Sequence, residues 1–240
     1  MKRVLITGVS RGIGEAVART MSAEPWEITG VYRRRHDEAQ TLEAALAGRL
    51  TTVACDLGDE RAVDALVDDW HGQFDAVVLN AGVAYRAPFV EDDVEGVDPL
   101  AAQLHLDLVA PLRLLRSLLR ARRVAAGGAV VFVSSNLARR GLPGKVAYAA
   151  AKAGLEGACR GLARELGPQG VRVNCVAPGL LATDMTADMG NAGYESYGEE
   201  VPLGRVGHPS DVAGVGRFLL SDDARDVSGQ VTGVAGGWSA

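Results

Sequence analysis

The sequence predicts an α/β fold with a doubly wound parallel sheet of about seven strands and helices on both faces. Short β-branched runs alternate with longer segments of helical period, and a glycine-rich turn follows the first of these runs. Alternation at this spacing is typical of parallel strands joined by crossover helices. Several of the short runs are apolar throughout, as expected for strands that are covered on both faces.

The individual elements follow from the same pattern. The predicted strands are Arg3–Thr7, Ile28–Tyr32, Thr51–Ala54, Ala76–Leu79, Ala129–Ser134, Arg172–Val176 and Gln230–Val234. The predicted helices, rich in Ala, Leu, Glu and Arg, include Gly12–Met21, Glu60–Asp69, Ala147–Leu166 and Pro209–Leu220. The stretch Thr186–Glu200 holds three glycines, one asparagine and two tyrosines. We predict a mobile loop with a functional role there.

Composition narrows the class of protein. The chain has 240 residues, of which 48% are hydrophobic and 23% charged, a balance that fits one globular domain over residues 1–240. No apolar run reaches the ~18 residues of a membrane helix. A net charge of −5 gives no support for nucleic-acid binding. We therefore expect small-molecule ligands, with neither a membrane nor a nucleic acid as partner.

The cysteines and histidines indicate neither a disulfide framework nor a metal site. The three cysteines are scattered without a C-x-x-C pair, which suits a reducing compartment. His36, His71 and His208 have no spacing with acidic residues that suggests a metal. The first strand begins at once and leaves no room for a signal peptide, so we expect a cytoplasmic protein.

Residues 7–14, T-G-V-S-R-G-I-G, lie between the first strand and the first helix. In a doubly wound sheet, ligands bind beyond the carboxyl ends of the strands, where this turn lies. Glycines allow close backbone approach to a pyrophosphate, and the helix N-terminus offers free N–H groups and a positive dipole end. We therefore predict a dinucleotide site rather than an ordinary turn. Its residues are Gly8, Ser10, Arg11, Gly12, Ile13 and Gly14.

The spacing T-G-x-x-x-G-x-G resembles that of the short-chain dehydrogenase/reductase family, and further motifs in the same order extend the resemblance over the whole chain. The resemblance implies a Rossmann-like fold and a nicotinamide cofactor. The runs at 173–179 and 201–205 are similar to those of 3-oxoacyl-[acyl-carrier-protein] reductases. The further cofactor-binding residues that the resemblance implies are Asp56, Leu57, Asn80, Ala81, Gly82, Tyr148, Lys152, Pro178, Gly179, Leu181 and Thr183.

The end of the second strand favours NADP(H) over NAD(H). Sites selective for NAD place an acidic residue there to bind the ribose 2′-OH, but this strand continues into Arg33, Arg34 and Arg35. A guanidinium group can bind a 2′-phosphate through two parallel hydrogen bonds, and Arg11 projects from the neighbouring turn. The alternative is a solvated basic loop, as charge runs usually are.

The reacting groups are predicted from spacing and from the resemblance. Tyr148 and Lys152 are four residues apart in a helical segment and project from one face. A nearby ammonium favours the phenolate form of a tyrosine. The resemblance implies that Tyr148 donates a proton while NADPH delivers hydride. It also implies that Lys152 binds the nicotinamide ribose and that Ser135 orients the substrate oxygen.

Asp107 stands where members of the family carry a fourth catalytic residue, an asparagine. A helical projection places Asp107 on the apolar face with Leu114 and Leu118, where a carboxylate costs free energy unless it is paired or protonated. Two interpretations are open: a bond to a neighbouring backbone group, or a polar role near Lys152. The resemblance also implies a water held by the carbonyl of residue 107, which Pro111 leaves without its helical partner.

The leading functional prediction is an NADPH-dependent ketone reductase acting on a 3-oxoacyl thioester or a polyketide-like carbonyl. The alternatives are an alcohol dehydrogenase for a small or cyclic metabolite, and a non-catalytic dinucleotide-binding regulator. We expect the substrate pocket to involve Ala84–Pro88, Asn136–Leu142 and Thr186–Glu200. Arg139 and Arg140 could meet an acidic carrier there, or could be solvated.

Small residues along Leu155–Leu166 and the resemblance imply a homo-oligomer, dimer or tetramer.

Overall fold

The computed structural model describes residues 1–90 and 98–238, and all seven predicted strands are present in it. Most strands extend by one or two residues beyond the predicted bounds, β7 is one residue shorter, and β5 begins five residues earlier. The strands are β1 Lys2–Thr7, β2 Trp26–Tyr32, β3 Leu50–Ala54, β4 Phe74–Leu79, β5 Val124–Val133, β6 Arg172–Pro178 and β7 Val231–Val234.

The strands form one parallel sheet in the order β3-β2-β1-β4-β5-β6-β7. The chain order reverses between β1 and β4, and a crevice opens at this point beyond the carboxyl ends of parallel strands. The α/β architecture with a doubly wound, Rossmann-like sheet is therefore confirmed.

Helices cover both faces of the sheet. They are α1 Gly12–Ser22, α2 His36–Ala45, α3 Glu60–Asp69, α4 Pro99–Leu104, α5 Ala110–Arg120, α6 Leu137–Arg140, α7 Val146–Leu166, α8 Gly190–Glu200 and α9 Pro209–Leu220. A π-helix, His105–Val109, joins α4 to α5 without a break. One core lies between the sheet and α1, α2 and α9, and a second lies beneath α3, α5 and α7. No helix among the described residues is long and apolar enough to cross a membrane.

The prediction of an irregular loop over Thr186–Glu200 is wrong. A short 3₁₀ turn, Ala187–Met189, leads into the α8 helix. Tertiary contacts stabilise this glycine-rich segment: the Tyr194 hydroxyl lies 3.0 Å from Thr186 Oγ1, and the Leu180 N–H donates to the Tyr197 hydroxyl at 3.1 Å. Packing thus overrides a weak local helix propensity.

Candidate active site

A cavity of about 680 Å³ lies at the carboxyl ends of β1, β4, β5 and β6. It extends from the glycine-rich turn, past the ends of β4 and β5, to the loop and helix that follow β6. All three segments predicted for the substrate pocket contribute lining residues. Those from the predicted segments are Ala84, Arg86, Asn136, Leu137, Leu142, Thr186, Asp188, Met189, Gly193, Ser196, Tyr197 and Glu200.

The glycine-rich turn is shaped by two positions that accept no other residue. Gly8 has a φ of +71°, and a Cβ there would lie 2.9 Å from Asn80 Nδ2. A Cβ on Gly14 would collide with the Gly8 carbonyl oxygen, because the first turn of α1 packs against the end of β1. The turn is therefore a tight backbone cradle that opens into the cavity.

Thr7 and Asn80 join the ends of the two strands that flank the crevice. Thr7 Oγ1 accepts hydrogen bonds from the N–H groups of Asn80 at 2.9 Å and Ala81 at 3.0 Å. The Asn80 side-chain amide donates to the Thr7 carbonyl at 2.9 Å. These bonds satisfy polar groups that would otherwise be unpaired where the strands end, and they hold the turn against β4.

Ser135, Tyr148 and Lys152 all line the cavity, as the motif spacing predicts. Ser135 follows β5 and accepts a hydrogen bond from the Leu137 N–H at 3.2 Å. Tyr148 and Lys152 lie one turn apart on α7, which packs against β6. The Lys152 ammonium lies 5.6 Å from the centre of the Tyr148 ring and donates to the Val133 carbonyl at 3.1 Å. These contacts place a buried cation beside the phenol.

Asp107 is fully buried and pairs with Lys152. Its Oδ2 atom lies 3.3 Å from Lys152 Nζ, and its Oδ1 atom accepts a hydrogen bond from the Val83 N–H at 2.8 Å. The contacts that the two interpretations name are therefore both present, and the role of the side chain stays a prediction. The carboxylate bonds a neighbouring backbone group, and it also occupies a polar position beside the lysine.

Burial and the ion pair have opposite effects on the pKa values of Asp107 and Lys152. Burial raises the pKa of the Asp107 carboxyl, and the Lys152 ammonium and the Val83 N–H offset only part of that effect. Burial alone would lower the pKa of the Lys152 ammonium, but the Asp107 carboxylate and Tyr148 outweigh it and raise that pKa. The Asp107 carboxylate therefore favours the charged form of the lysine.

The π-helix explains how a carboxylate reaches this position. Asp107 lies within His105–Val109, and Pro111 follows in the first turn of α5 without an N–H to donate. A π-helix places one extra residue in a turn and is frequent at functional sites. The wide turn directs Asp107 toward α7, while His105 lies on the other side and contacts the Gly58 carbonyl through Nε2 at 2.9 Å.

The residues predicted to bind the cofactor divide into two groups. Most of them line the cavity with Tyr148 and Lys152. These are Gly8, Arg11, Gly12, Ile13, Asn80, Ala81, Gly82, Pro178, Gly179, Leu181 and Thr183. Ser10, Gly14, Arg33, Arg34, Asp56 and Leu57 are not among the lining residues. Ser10 and Gly14 belong to the glycine-rich turn itself, and the other four lie just after β2 and β3.

The arginines near β2 have different partners. Arg33 lies 3.8 Å from the Asp56 carboxylate. Arg11 Nη1 and Arg35 Nη2 each lie 3.4 Å from the same oxygen, Oδ2 of Asp184. Two guanidinium groups from separate segments thus converge on one anionic oxygen, and Arg35 rather than Arg33 is the partner of Arg11.

Sequence reasoning missed several lining residues, among them Lys145, Asp184 and Trp238. Lys145 lies three residues before Tyr148, so helical spacing could have indicated it. Asp184 adjoins Thr183 in the chain, but nothing local indicated its carboxylate contacts. Trp238 lies after the last strand and packs on Tyr197, with ring centres 5.0 Å apart.

The two arginines predicted near the pocket mouth are engaged within the protein. Arg140 stacks on the Trp238 ring at 3.9 Å and donates to the Trp238 carbonyl at 2.8 Å. Arg139 Nε lies 3.7 Å from the buried carboxylate of Glu156.

Across the described parts of the chain, no group of three or more His, Cys, Asp or Glu side chains could hold a metal ion.

Comparison with known proteins agrees with the motifs and the fold. The family model described as Enoyl-(Acyl carrier protein) reductase matches residues 8–239. An uncharacterized oxidoreductase of Bacillus subtilis, YmfI, is 34% identical over 99% of this chain and 98% of its own. The 3-oxoacyl-[acyl-carrier-protein] reductase FabG of Pseudomonas aeruginosa is 34% identical over 98% of this chain and 96% of its own.

A solved structure supports the same assignment. A short chain dehydrogenase from Burkholderia cenocepacia, in complex with NADP, superposes with a TM-score of 0.90. The two sequences are 33% identical, and the match covers 100% of this chain and 98% of the other. With the glycine-rich turn, the sheet order and the Ser135, Tyr148 and Lys152 motifs in place, the chain belongs to the short-chain dehydrogenase/reductase family of oxidoreductases.

Proposed function

We propose that this protein is an NADPH-dependent carbonyl reductase that converts a 3-oxoacyl thioester or related ketone to a secondary alcohol. The observation that carries the proposal is the convergence of Ser135, Tyr148 and the Asp107–Lys152 ion pair on one cavity that begins at a dinucleotide cradle. A hydroxyl, a phenol and a buried ammonium suit the polarisation and protonation of a carbonyl oxygen.

Each side chain then has a defined task. The Ser135 hydroxyl donates a hydrogen bond to the substrate carbonyl oxygen and orients it. The Tyr148 hydroxyl gives its proton to that oxygen as the carbon becomes tetrahedral. The charged Lys152 stabilises the phenolate that is left, and Asp107 keeps Lys152 charged. In the oxidation direction the same phenolate accepts the proton back from the alcohol.

The cradle fits a nicotinamide dinucleotide. Gly8 and Gly14 exclude side chains from the turn, while Gly12 lies open, with Thr183 Cγ2 3.8 Å from where its Cβ would be. A pyrophosphate next to this turn would meet backbone N–H groups and the N-terminus of α1. When bound, the reduced nicotinamide supplies a hydride to the carbonyl carbon. Lys152 would hold the ribose hydroxyls.

The phosphorylated cofactor is favoured by the basic residues around the adenosine end. No acidic side chain stands at the end of β2 to bind a ribose 2′-OH, because Arg33, Arg34 and Arg35 occupy that position. Arg11 and Arg35 already share one carboxylate oxygen of Asp184, so their guanidinium groups are close enough to share a phosphate. The NADP in the Burkholderia cenocepacia relative supports the same choice.

The choice of a thioester substrate is supported by the name of a relative as well as by the sequence. The Pseudomonas aeruginosa relative is a 3-oxoacyl-[acyl-carrier-protein] reductase, whereas the description of the matching family model refers to enoyl reduction. Protonation of an oxygen by Tyr148 suits a ketone better than a carbon–carbon double bond, because the reacting oxygen needs the hydrogen bonds that Ser135 and Tyr148 offer.

A kinetic panel tests the proposal. NADPH and NADH oxidation would be followed with a 3-oxoacyl thioester, the matching trans-2-enoyl thioester, a cyclic ketone and an aliphatic ketone. Alcohol oxidation with NADP and NAD would be followed in parallel. We expect the highest kcat/KM for the 3-oxoacyl thioester with NADPH. A higher value for the enoyl thioester, or a preference for NADH, would contradict the proposal.

We also propose a symmetric homo-oligomer built through α7 and the helix that carries Asp107. Gly157 and Gly161 are exposed on α7, and a Cβ added at either position meets nothing within 4 Å. Such small residues allow close approach of a second helix. Light scattering should give the mass of a dimer or a tetramer, and Gly157→Arg should reduce it; a monomeric wild type would contradict this.

A further inference from the structure

Two cations face the substrate end of the cavity from neighbouring segments. Arg86 lies six residues beyond Asn80, and Lys145 precedes α7, three residues before Tyr148. Both side chains line the cavity that holds Ser135 and Tyr148. Arg86 and Lys145, called the cationic pair below, therefore belong to the part of the site that a substrate would enter.

The segments that carry the cationic pair are held against each other. The Ala87 N–H donates to the Gly144 carbonyl at 3.1 Å, and a Cβ on Gly144 would lie 3.3 Å from Arg86 Cγ. The Lys145 ammonium donates to the Ala84 carbonyl at 2.8 Å, in the segment that carries Arg86. Backbone contacts thus hold the two segments together.

Toward the described residues, the cationic pair has hydrogen-bond donors without a partner. An ammonium has three N–H groups and a guanidinium has five, and Ala84 takes one from Lys145. Among residues 1–90 and 98–238, no carboxylate oxygen lies within 4.0 Å of either cation. Burial, and then the charge of Arg86, lower the pKa of the Lys145 ammonium, and the exposed Asp188 opposes this only in part. Like charges held together in a cleft cost free energy unless an anion binds between them.

The other arginines near the cavity have other partners or another proposed ligand. Arg140 binds the Trp238 ring and carbonyl, Arg139 faces Glu156, and Arg11, proposed above to bind the cofactor phosphate, faces Asp184. The cationic pair is the site's unmatched positive charge within the described chain. Its chemistry, a planar fork beside an ammonium, suits the oxygens of a carboxylate or a phosphate.

We propose that Arg86 and Lys145 form a binding site for an anionic oxygen group on the carbonyl substrate, and that they select charged substrates over neutral ones. This rests on the proposed carbonyl-reductase function, because the anion and the reacting carbonyl would share one molecule and one cavity. The anion is either the carboxylate of a free oxo acid or a phosphate of a carrier arm attached as a thioester.

Three substrates with one 3-oxobutanoyl group separate these sources: free 3-oxobutanoate, its coenzyme A thioester, and its uncharged N-acetylcysteamine thioester. The measured quantity is kcat/KM with NADPH for each anionic substrate divided by that for the uncharged thioester. We expect Arg86→Gln and Lys145→Gln each to lower this ratio by about tenfold, because each removes a charge-assisted hydrogen bond. The control Arg61→Gln, an exposed arginine on α3, should leave the ratio unchanged.

The outcomes distinguish a carboxylate from a phosphate as the bound anion, and a failure of the anion site from a failure of the proposed function. A fall for 3-oxobutanoate assigns a carboxylate, and a fall for the coenzyme A thioester assigns a phosphate. Equal losses on all three substrates, or unchanged ratios, would overturn the anion site. If wild-type protein reduces none of them, the proposed function fails, and calorimetry with 3-hydroxybutanoate and with coenzyme A still tests the site without turnover. Binding of either ligand weakened about tenfold in both glutamine variants would support it; binding of neither ligand to the wild type, or binding unchanged in the variants, would overturn it.

Discussion

The ion pair between Asp107 and Lys152 makes a prediction that the structure can quantify. Asp107→Asn removes the negative charge and keeps the size and shape of the side chain. The amide can still accept the hydrogen bond from the Val83 N–H, so the fold around the π-helix should persist. What changes is the charge 3.3 Å from Lys152 Nζ.

The size of the effect follows from Coulomb's law. At 3.3 Å the attraction is about 1.3 kcal/mol with the dielectric constant of water and about 5 kcal/mol with an effective value of ~20. Since one pKa unit corresponds to ~1.36 kcal/mol, the smaller figure already amounts to about one unit. The carboxylate raises the pKa of Lys152, so its removal must lower that pKa, because burial then acts with less opposition.

The assay is the pH dependence of NADP-dependent alcohol oxidation, in which the Tyr148 phenolate is the proposed base and the loss of charge on Lys152 sets the basic limb. The proposed mechanism needs the charged lysine, and in the wild type its loss falls above the ordinary lysine pKa of ~10.4. In Asp107→Asn the basic limb should move down by at least about one pH unit. Asp223→Asn, which removes an exposed carboxylate, controls for net charge and should leave the limb in place. A limb that does not move in Asp107→Asn would refute the view that this carboxylate keeps Lys152 charged.

Three further predictions concern the cofactor cradle. Arg11→Ala and Arg35→Ala should each raise KM for NADPH by about tenfold and leave KM for NADH within about twofold, since only the 2′-phosphate loses a charged partner; equal effects on both cofactors would contradict the 2′-phosphate role. Gly14→Ala should abolish NADPH binding in a fluorescence titration and cost about 1–3 kcal/mol of unfolding free energy, whereas Gly214→Ala on α9, where a Cβ meets nothing within 4 Å, should do neither. Thr7→Val should cost about 1–3 kcal/mol in urea unfolding by leaving the Asn80 and Ala81 N–H groups unpaired; an unchanged midpoint would show that water replaces the hydroxyl.

The strands and the catalytic motifs could be predicted because their determinants are local. Apolar β-branched runs define every strand except β5 to within two residues, and helical spacing places Tyr148 and Lys152 on one face. The helical projection also placed Asp107 on the buried face, and with the resemblance it indicated a partner on the neighbouring helix. Its carboxylate contacts Val83 and Lys152, which lie in segments distant from Asp107 in the chain.

The remainder depends on contacts between distant segments, which local patterns do not encode. The Thr186–Glu200 stretch has the glycines of a loop, and its helix is stabilised through Tyr197, which bonds Leu180 and packs on Trp238. Three consecutive arginines follow β2, and only the path of the backbone selects Arg35 to meet Arg11. The engagement of Arg140 by Trp238 depends in the same way on where the chain runs after the last strand, which brings Trp238 to the lining of the cavity.

The central claim is that Tyr148 transfers a proton to a carbonyl oxygen in a site built for NADPH. It is tested most directly by the turnover of Tyr148→Phe with NADPH and the best substrate of the panel, alongside NADPH affinity and thermal stability. We predict that reduction is lost while cofactor binding and stability match the wild type. A variant that keeps most of its turnover would contradict the claim.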